Sequence, residues 1–451
     1  MKMFRHEPFA FQSGSALLKK ADELGLELPF QDSVSPLFES TALGSKKLAN
    51  RLAVQPMEGF DAGPDGSPEE LTCRRYKRYA EGGCGMIWFE ATSIVPEGRS
   101  NPHQLMLHPE NLDSFKRLVE HTRRSAQKAP GSSDEIFLVL QLTHSGRYSK
   151  PEGKPLPKVA GFNPNLDRRP EDVHILSDDE LDRLQDNYVA AARLAMGAGF
   201  DGVDIKACHG YLVNELLAAH TRENSRYGGT FENRTRFLFE IVQRITDDVP
   251  GLCLAVRLSA CDGIPGGFGV SKDDPEEVDL FEPKKLARRL IQSGCSFFNI
   301  TAGNPYEKPH QGRPFDRPLH GDSLPKEHPL EGISRLFRLT AEFQKEFPDI
   351  PFVGTGFSWL RRFFPNIGAA VLQKGEASFI GLGRSSLAYP DAPRDLMNSG
   401  VLDSEKVCIT CSRCTELMKN GYESGCVMRD QEIYGRLYKK ISVQEKKNEQ
   451  E

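Results

Sequence analysis

The chain has 451 residues, 38% apolar and 27% charged, which suits a packed core and excludes wholesale disorder. With 58 Lys and Arg against 63 Asp and Glu, the formal charge is −5, the wrong balance for a dedicated nucleic-acid binder. No run of about 18 apolar residues reads as a membrane span. Residues 1–10 carry Lys2, Arg5, His6 and Glu7 and lack the apolar core of a signal peptide, so a cytoplasmic protein is expected.

One phrase recurs along the chain: a helical pattern, a glycine, then a short apolar strand. Gly83-Cys84-Gly85 precedes Met86–Phe89, Gly197-Ala198-Gly199 precedes Gly202–Ile205, Gly294-Cys295 precedes Phe297–Ile300, and Gly375-Glu376-Ala377 precedes Ser378–Ile380. A glycine closing a helix in the left-handed conformation, followed by a strand, is the mark of parallel βα units. Candidate strands fall at 51–55, 86–91, 136–142, 203–206, 252–258, 297–301, 352–354 and 379–381. Helical patterns fall at 68–79, 112–126, 178–196, 232–246, 283–292 and 333–347, and Ser177 with Glu180 forms a capping box. No Gly-x-Gly-x-x-Gly turn follows an early strand, which disfavours a doubly wound dinucleotide fold. The pattern predicts an α/β protein built on a (β/α)₈ TIM barrel. Residues 1–35 form an N-terminal extension, 36–400 the barrel, and 401–451 a cysteine-cluster tail with a charged, frayed end at 445–451.

Barrel chemistry sits at the C-terminal ends of strands, and phosphate sites favour the loops after strands 7 and 8. Those loops read Gly354-Thr355-Gly356 and Gly381-Leu382-Gly383-Arg384. Glycines admit an anion close to backbone N–H groups, and Arg384 offers a guanidinium fork. The alternative is a pair of plain turns with a surface arginine. Gln141 and Arg257 end the third and fifth strands, where burial is costly unless a polar partner is met. Lys206, His209 and Tyr211 place three hydrogen-bond donors at the end of the fourth strand.

These residues stand in motifs that resemble the old yellow enzyme family of FMN-dependent barrel oxidoreductases. Leu37-Phe38, Leu43-Gly44, Leu48-Ala49-Asn50-Arg51 and Pro56-Met57 are similar to the family's opening, and Gln141-Leu142-x-His144-x-Gly146-Arg147 to a second motif. His209-Gly210-Tyr211-Leu212, followed by Asn224-x-Arg226-Tyr227-Gly228-Gly229-x-x-Glu232-Asn233-Arg234, is the most specific stretch, and Gly383-Arg384 also matches. The resemblance runs over about residues 36–430. It implies that Pro56, Met57 and Ala91 line the flavin, that Gln141 bonds its pyrimidine ring, and that Arg257 lies at its N1–C2=O edge. Gly356, Gly383 and Arg384 are implied at the phosphate. It further implies hydride transfer from flavin N5 to an activated C=C bond of a small unsaturated substrate. His209 binds the activating carbonyl, and Tyr211 protonates the other carbon. Lys206 replaces the usual second donor, so it either stabilises an enolate or pairs with a substrate carboxylate. Tyr306 is a candidate for the pocket wall.

The tail reads Cys408-x2-Cys411-x2-Cys414-x11-Cys426, a spacing that suits an iron–sulfur cluster or a structural zinc. The resemblance extends to the iron–sulfur branch of the family that includes 2,4-dienoyl-CoA reductase, and so implies a [4Fe–4S] cluster relaying electrons to FMN. Residues 427–451 are too few for the FAD- and NAD(P)-binding domains common in that branch. Reduction by NAD(P)H directly and reduction by a separate electron-donor protein are both open, as is a homo-oligomer. Two rivals stand beside the ene-reductase reading. One is a flavin-dependent dehydrogenase of an amine or similar donor, and the other an electron-transfer flavoprotein subunit.

Overall fold

A computed structural model describes residues 6–128, 136–274 and 277–441; the expected charged end at 445–451 lies outside them. Eight short apolar segments form a closed barrel: β1 (Leu52–Val54), β2 (Met86–Ser93), β3 (Phe137–Thr143), β4 (Gly202–Ala207), β5 (Cys253–Ser259), β6 (Cys295–Thr301), β7 (Phe352–Gly354) and β8 (Phe379–Leu382). Each pairs in parallel with the next, and β8 returns to β1. Every strand expected from the sequence is present, shifted by one or two residues at its ends.

The helices between and after the strands include α1 (Glu70–Glu81), α2 (Leu112–Ala126), α3 (Asp178–Ala198), α4 (Phe231–Asp248), α5 (Phe281–Gln292), α6 (Pro329–Glu346) and α7 (Phe364–Gln373). The Ser177 hydroxyl accepts from Glu180 N–H at the start of α3, and the Glu180 carboxylate accepts from Ser177 N–H. The recurring glycine is left-handed in all four places, with φ of 85° at Gly83, 95° at Gly199, 100° at Gly294 and 66° at Gly375. Among the described residues no helix is long and apolar enough to cross a membrane.

Strand alternation divides the core in two. One set of side chains, including Leu52, Ile87, Leu138, Val203 and Ile300, packs outward with the helices. The other, including Met86, Trp88, Phe137, Val139, Ala255, Phe297 and Val353, forms a separate cluster inside the barrel. A two-stranded hairpin, Thr41–Leu43 with Lys46–Leu48, adds Leu43 and Leu48 to that inner cluster and plugs its N-terminal end. The sequence reading passed over this hairpin, because three-residue strands carry no periodicity.

Two residues further along each strand, the inward row becomes polar. Gln141 is in register with Asp204, Lys206 with Arg257, and Arg257 with Asn299. The polar row faces the C-terminal end of the barrel. The N-terminal segment lies against the barrel: Leu17 and Ala21 of its helix Gly14–Glu23 are buried in the main core. The cysteine-bearing segment has a small core of its own, Leu417, Val427, Tyr434 and Ile441.

Candidate active site

A cleft opens at the C-terminal ends of the strands, walled by Gln55, Pro56, Met57, His209, Arg257, Gly356, Gly383 and Arg384. Six of the eight residues expected to hold a flavin are therefore brought together. Ala91 and Gln141 are buried and do not line the cleft. The Ala91 carbonyl accepts from Gln104 Nε2 at 2.9 Å, and Gln141 Nε2 donates to Asp204. Asp204 also accepts from Trp88 Nε1 at 2.9 Å, and burial pushes its carboxyl up to about 6.

The cleft holds polar atoms without partners. Gln55 Nε2, Arg257 Nε and Arg384 Nη1 are buried, line this one cleft, and make no hydrogen bond. Buried donors are ordinarily paired, and each left alone costs about 1–3 kcal/mol. Gln55 is oriented by its other end, whose oxygen accepts from Asn299 Nδ2 at 2.7 Å. A Cβ at Gly381 would sit 2.0 Å from Gln55 Nε2, so only glycine leaves that amide room. Arg384 Nη2 donates to the Pro314 carbonyl at 2.6 Å, which fixes the guanidinium. Arg313 lines the same cleft, and its Nη1 donates to Thr415 Oγ1 at 3.0 Å. Burial first, and the charge of Arg384 second, lower Arg313 to about 10. Two cations brought together in this way suit an anion.

At the His209 end stand the three expected donors. His209 (φ 66°) and Gly210 (φ 71°) are consecutive left-handed residues that end β4 in a sharp turn. A Cβ at Gly210 would meet Asn304 Nδ2 at 2.6 Å. Such strain at a non-glycine residue collects at functional sites. Burial, with Arg257 and Lys206 nearby, holds the His209 imidazole well below its ordinary pKa, so the ring is neutral at pH 7. Lys206 Nζ lies 3.6 Å from the centre of the Tyr211 ring and 3.5 Å from Glu58 Oε1. Burial lowers Lys206 and the Glu58 charge opposes that shift. The Tyr211 hydroxyl donates to Glu58 Oε1 at 3.2 Å and lies 3.3 Å from the Tyr306 hydroxyl. Burial, and then the Glu58 charge, raise the Tyr211 phenol well above 10. The Tyr306 ring stacks on Tyr148 with centres 3.6 Å apart.

Glu58 is held from behind. Gly59 N–H donates to Glu90 Oε2 at 2.6 Å, and Arg75 bridges Glu90 and Asp61, all buried. On its other side, the Gly59 carbonyl accepts from Ser424 N–H at 2.6 Å. The loop bearing Pro56, Met57 and Glu58 is thus clamped between α1 and the cysteine-bearing segment.

Cys408, Cys411, Cys414 and Cys426 line one small cavity, and Arg384 lines both it and the cleft. Thr410 N–H donates to Cys408 Sγ at 3.4 Å, and Thr410 and Ser412 are left-handed, with φ of 47° and 60°. Among the described residues no three His, Cys, Asp or Glu side chains gather closely enough to hold one metal ion.

Sequence reasoning missed Gln55, Glu58, Tyr148 and Arg313. Gln55 and Glu58 flank the Pro56-Met57 pair, a signal that adjacency could have supplied. Arg313 lies in the long segment after β6 and carried no signal.

Comparison with known proteins gives the family. The family described as NADH:flavin oxidoreductase / NADH oxidase matches residues 36–291. An NADH oxidase of Thermoanaerobacter brockii is 28% identical over 387 residues, 83% of this chain and 52% of that protein. An NADPH dehydrogenase of Bacillus cytotoxicus is 30% identical over 369 residues, 80% of this chain and 92% of that protein. A solved 2-naphthoyl-CoA reductase in complex with 2-naphthoyl-CoA superposes with a TM-score of 0.71 at 19% identity, over 90% of this chain and 58% of that one, a likeness of fold. The chain spans about half the length of the NADH oxidase it matches.

Proposed function

The chain belongs to the NADH:flavin oxidoreductase / NADH oxidase family, and from that premise we propose that it is an FMN-dependent reductase of an activated C=C bond. The observation that carries the reading is the set of three unpaired buried donors, Gln55 Nε2, Arg257 Nε and Arg384 Nη1, around one cleft. A flavin ring edged with carbonyl and nitrogen acceptors, ending in a phosphate, matches that need. Arg384 and Arg313 hold the phosphate beside Gly356 and Gly383, a charge-assisted arrangement. Pro56 and Met57 line the ring, and Arg257 favours negative charge at its edge. FMN, when bound there, would supply hydride for reduction of the alkene.

The chain's own residues do the rest. Neutral His209 donates a hydrogen bond to the activating carbonyl, and Lys206 adds a second donor. Tyr211 keeps its proton at neutral pH because its pKa is raised, and delivers it from the hydroxyl to the α-carbon. Tyr148 and Tyr306 wall the substrate side. A pure electron carrier has no use for an acid beside the flavin, so these groups weigh against that rival. Cys408, Cys411, Cys414 and Cys426 hold a [4Fe–4S] cluster. Four cysteines lining one cavity, with a backbone N–H on one sulfur, support that reading. The cluster supplies one-electron transfer. NAD(P)H or a separate donor protein supplies the electrons.

The test is to load the protein with FMN, reduce it anaerobically with NADH or NADPH, and mix it with a panel of alkenes. Reoxidation by carbonyl-activated alkenes is expected. No reoxidation by any alkene, with reduction of the oxidised flavin by amines instead, would replace this reading with the dehydrogenase.

A further inference from the structure

Tyr211 gives up its proton once per turnover in the reading above, so the chain needs a way to replace it. Tyr211 is 3% exposed, too little for bulk water to serve its hydroxyl. That hydroxyl has two hydrogen-bond neighbours, Glu58 Oε1 at 3.2 Å and the Tyr306 hydroxyl at 3.3 Å. Glu58 leads nowhere. Its side chain is 10% exposed, and it accepts from Tyr211, from Ser100 Oγ at 2.9 Å and from Lys206 Nζ at 3.5 Å, so it has no proton to return. Lys206 and Ser100 are buried with it. Tyr306 is 50% exposed and carries a hydroxyl proton. Of the two neighbours, it is the one that reaches solvent.

Tyr306 is held in place although half exposed. Its N–H donates to Asn304 Oδ1 at 3.0 Å, and its ring stacks on Tyr148. Asn304 Nδ2 donates in turn to the Tyr148 hydroxyl at 2.9 Å, so one amide fixes both rings. The Tyr306 hydroxyl is thereby kept beside the buried one of Tyr211. The charge left on Tyr211 after it gives up its proton lies 3.2 Å from Glu58. Passing that charge outward to the exposed ring relieves the repulsion and returns the charge to water.

We propose that Tyr306 is the proton relay between solvent and Tyr211. The Tyr306 O–H bond breaks as an O–H bond forms on the Tyr211 phenolate oxygen. The Tyr306 phenolate then takes a proton from water, so one solvent proton enters for each one that Tyr211 delivers, and no electrons move. The proposal rests on the assignment of Tyr211 as proton donor.

Tyr306→Phe keeps the stacked ring and deletes the hydroxyl, and two measurements on the FMN-loaded protein test it. The first is hydroxyl exchange, read by NMR from tyrosine carrying ¹³C at Cζ in mixed light and heavy water, with the Tyr211 signal assigned by its loss in Tyr211→Phe. Exchange of the Tyr211 hydroxyl with solvent should slow at least about tenfold in Tyr306→Phe. The second is turnover. A single turnover starts with Tyr211 already protonated, whereas continuous turnover needs the relay. Steady-state alkene reduction by Tyr306→Phe should therefore fall at least about tenfold further than either half-reaction measured alone. Imidazole buffer, raised at constant pH, should recover that loss in the variant and leave wild type unmoved. Wild-type exchange rates in the variant, or turnover that falls no further than the half-reactions, overturns the relay. Wild-type protein that reduces no alkene removes the reductase reading, and the exchange measurement then decides the relay by itself.

Discussion

Replacing Tyr211 with phenylalanine deletes one oxygen and keeps the ring that lies under Lys206. The lost hydroxyl has two neighbours, Glu58 Oε1 at 3.2 Å and the Tyr306 hydroxyl at 3.3 Å. Glu58 keeps Lys206 and Ser100 as partners, so the stability cost should be about 1 kcal/mol, the ordinary value for one hydrogen bond. The kinetic cost is larger and falls on one half-reaction. General acid catalysis contributes roughly 10²- to 10⁴-fold, so reoxidation of the reduced flavin by an alkene should slow by that factor. Flavin reduction by NAD(P)H needs no acid at this position and should change little. Stopped-flow absorbance separates the two steps. Because the Tyr211 pKa lies well above 10, the wild-type alkene step should show no alkaline loss from this group up to about pH 10. A Tyr211→Phe enzyme that is reoxidised as fast as wild type by its preferred alkene would refute the proton-donor role.

Arg384→Ala removes a fixed guanidinium with an unpaired edge and should weaken FMN binding by about 1.5–3 kcal/mol, roughly 10- to 150-fold, measured by fluorescence titration of the flavin; unchanged affinity removes Arg384 from the phosphate. Cys414→Ser should lower iron and labile sulfide together in protein purified without oxygen, and one zinc with no sulfide in wild type would leave a structural tail. Acidification should destabilise the fold through its buried neutral histidines. Burial lowers His144 to about 3 and His328 to about 4, below the unfolded value of about 6.5. Their contribution is fully present above pH 6.5 and is lost as pH falls toward those folded values. His144, the more strongly shifted of the two, accounts for roughly 1 kcal/mol between pH 7 and 5.5. His144→Asn, whose oxygen can still accept from Gly146 N–H, should flatten that part of the thermal stability profile; an unchanged acid slope would contradict the argument.

The barrel was legible because its signal is local. Each βα unit repeats a helix, a left-handed glycine and a buried strand within one window of sequence, and the four glycines kept that geometry. The roof of the site was legible in part, since Pro56, Met57, Arg257, Gly356, Gly383 and Arg384 stand at strand ends that the fold must bring together. Glu58 was not. It lies 148 residues from Lys206 and 153 from Tyr211, and only closure of the barrel puts its carboxylate between them. The surroundings of Gln141 were not legible either. Its amide nitrogen meets Asp204, a contact fixed by strand register rather than by any motif. Arg313 reaches the cleft from a long connection, where neither period nor capping constrains the chain.

One preparation tests FMN in the cleft and an iron–sulfur cluster among the four cysteines together. Protein purified without oxygen should show a flavin spectrum overlaid on broad iron–sulfur absorption. Extraction should yield about one noncovalent FMN, with about four iron and four sulfide per chain, the content of one [4Fe–4S] cluster. Protein that takes up no FMN when the flavin is supplied, and holds neither iron nor sulfide, would contradict the account.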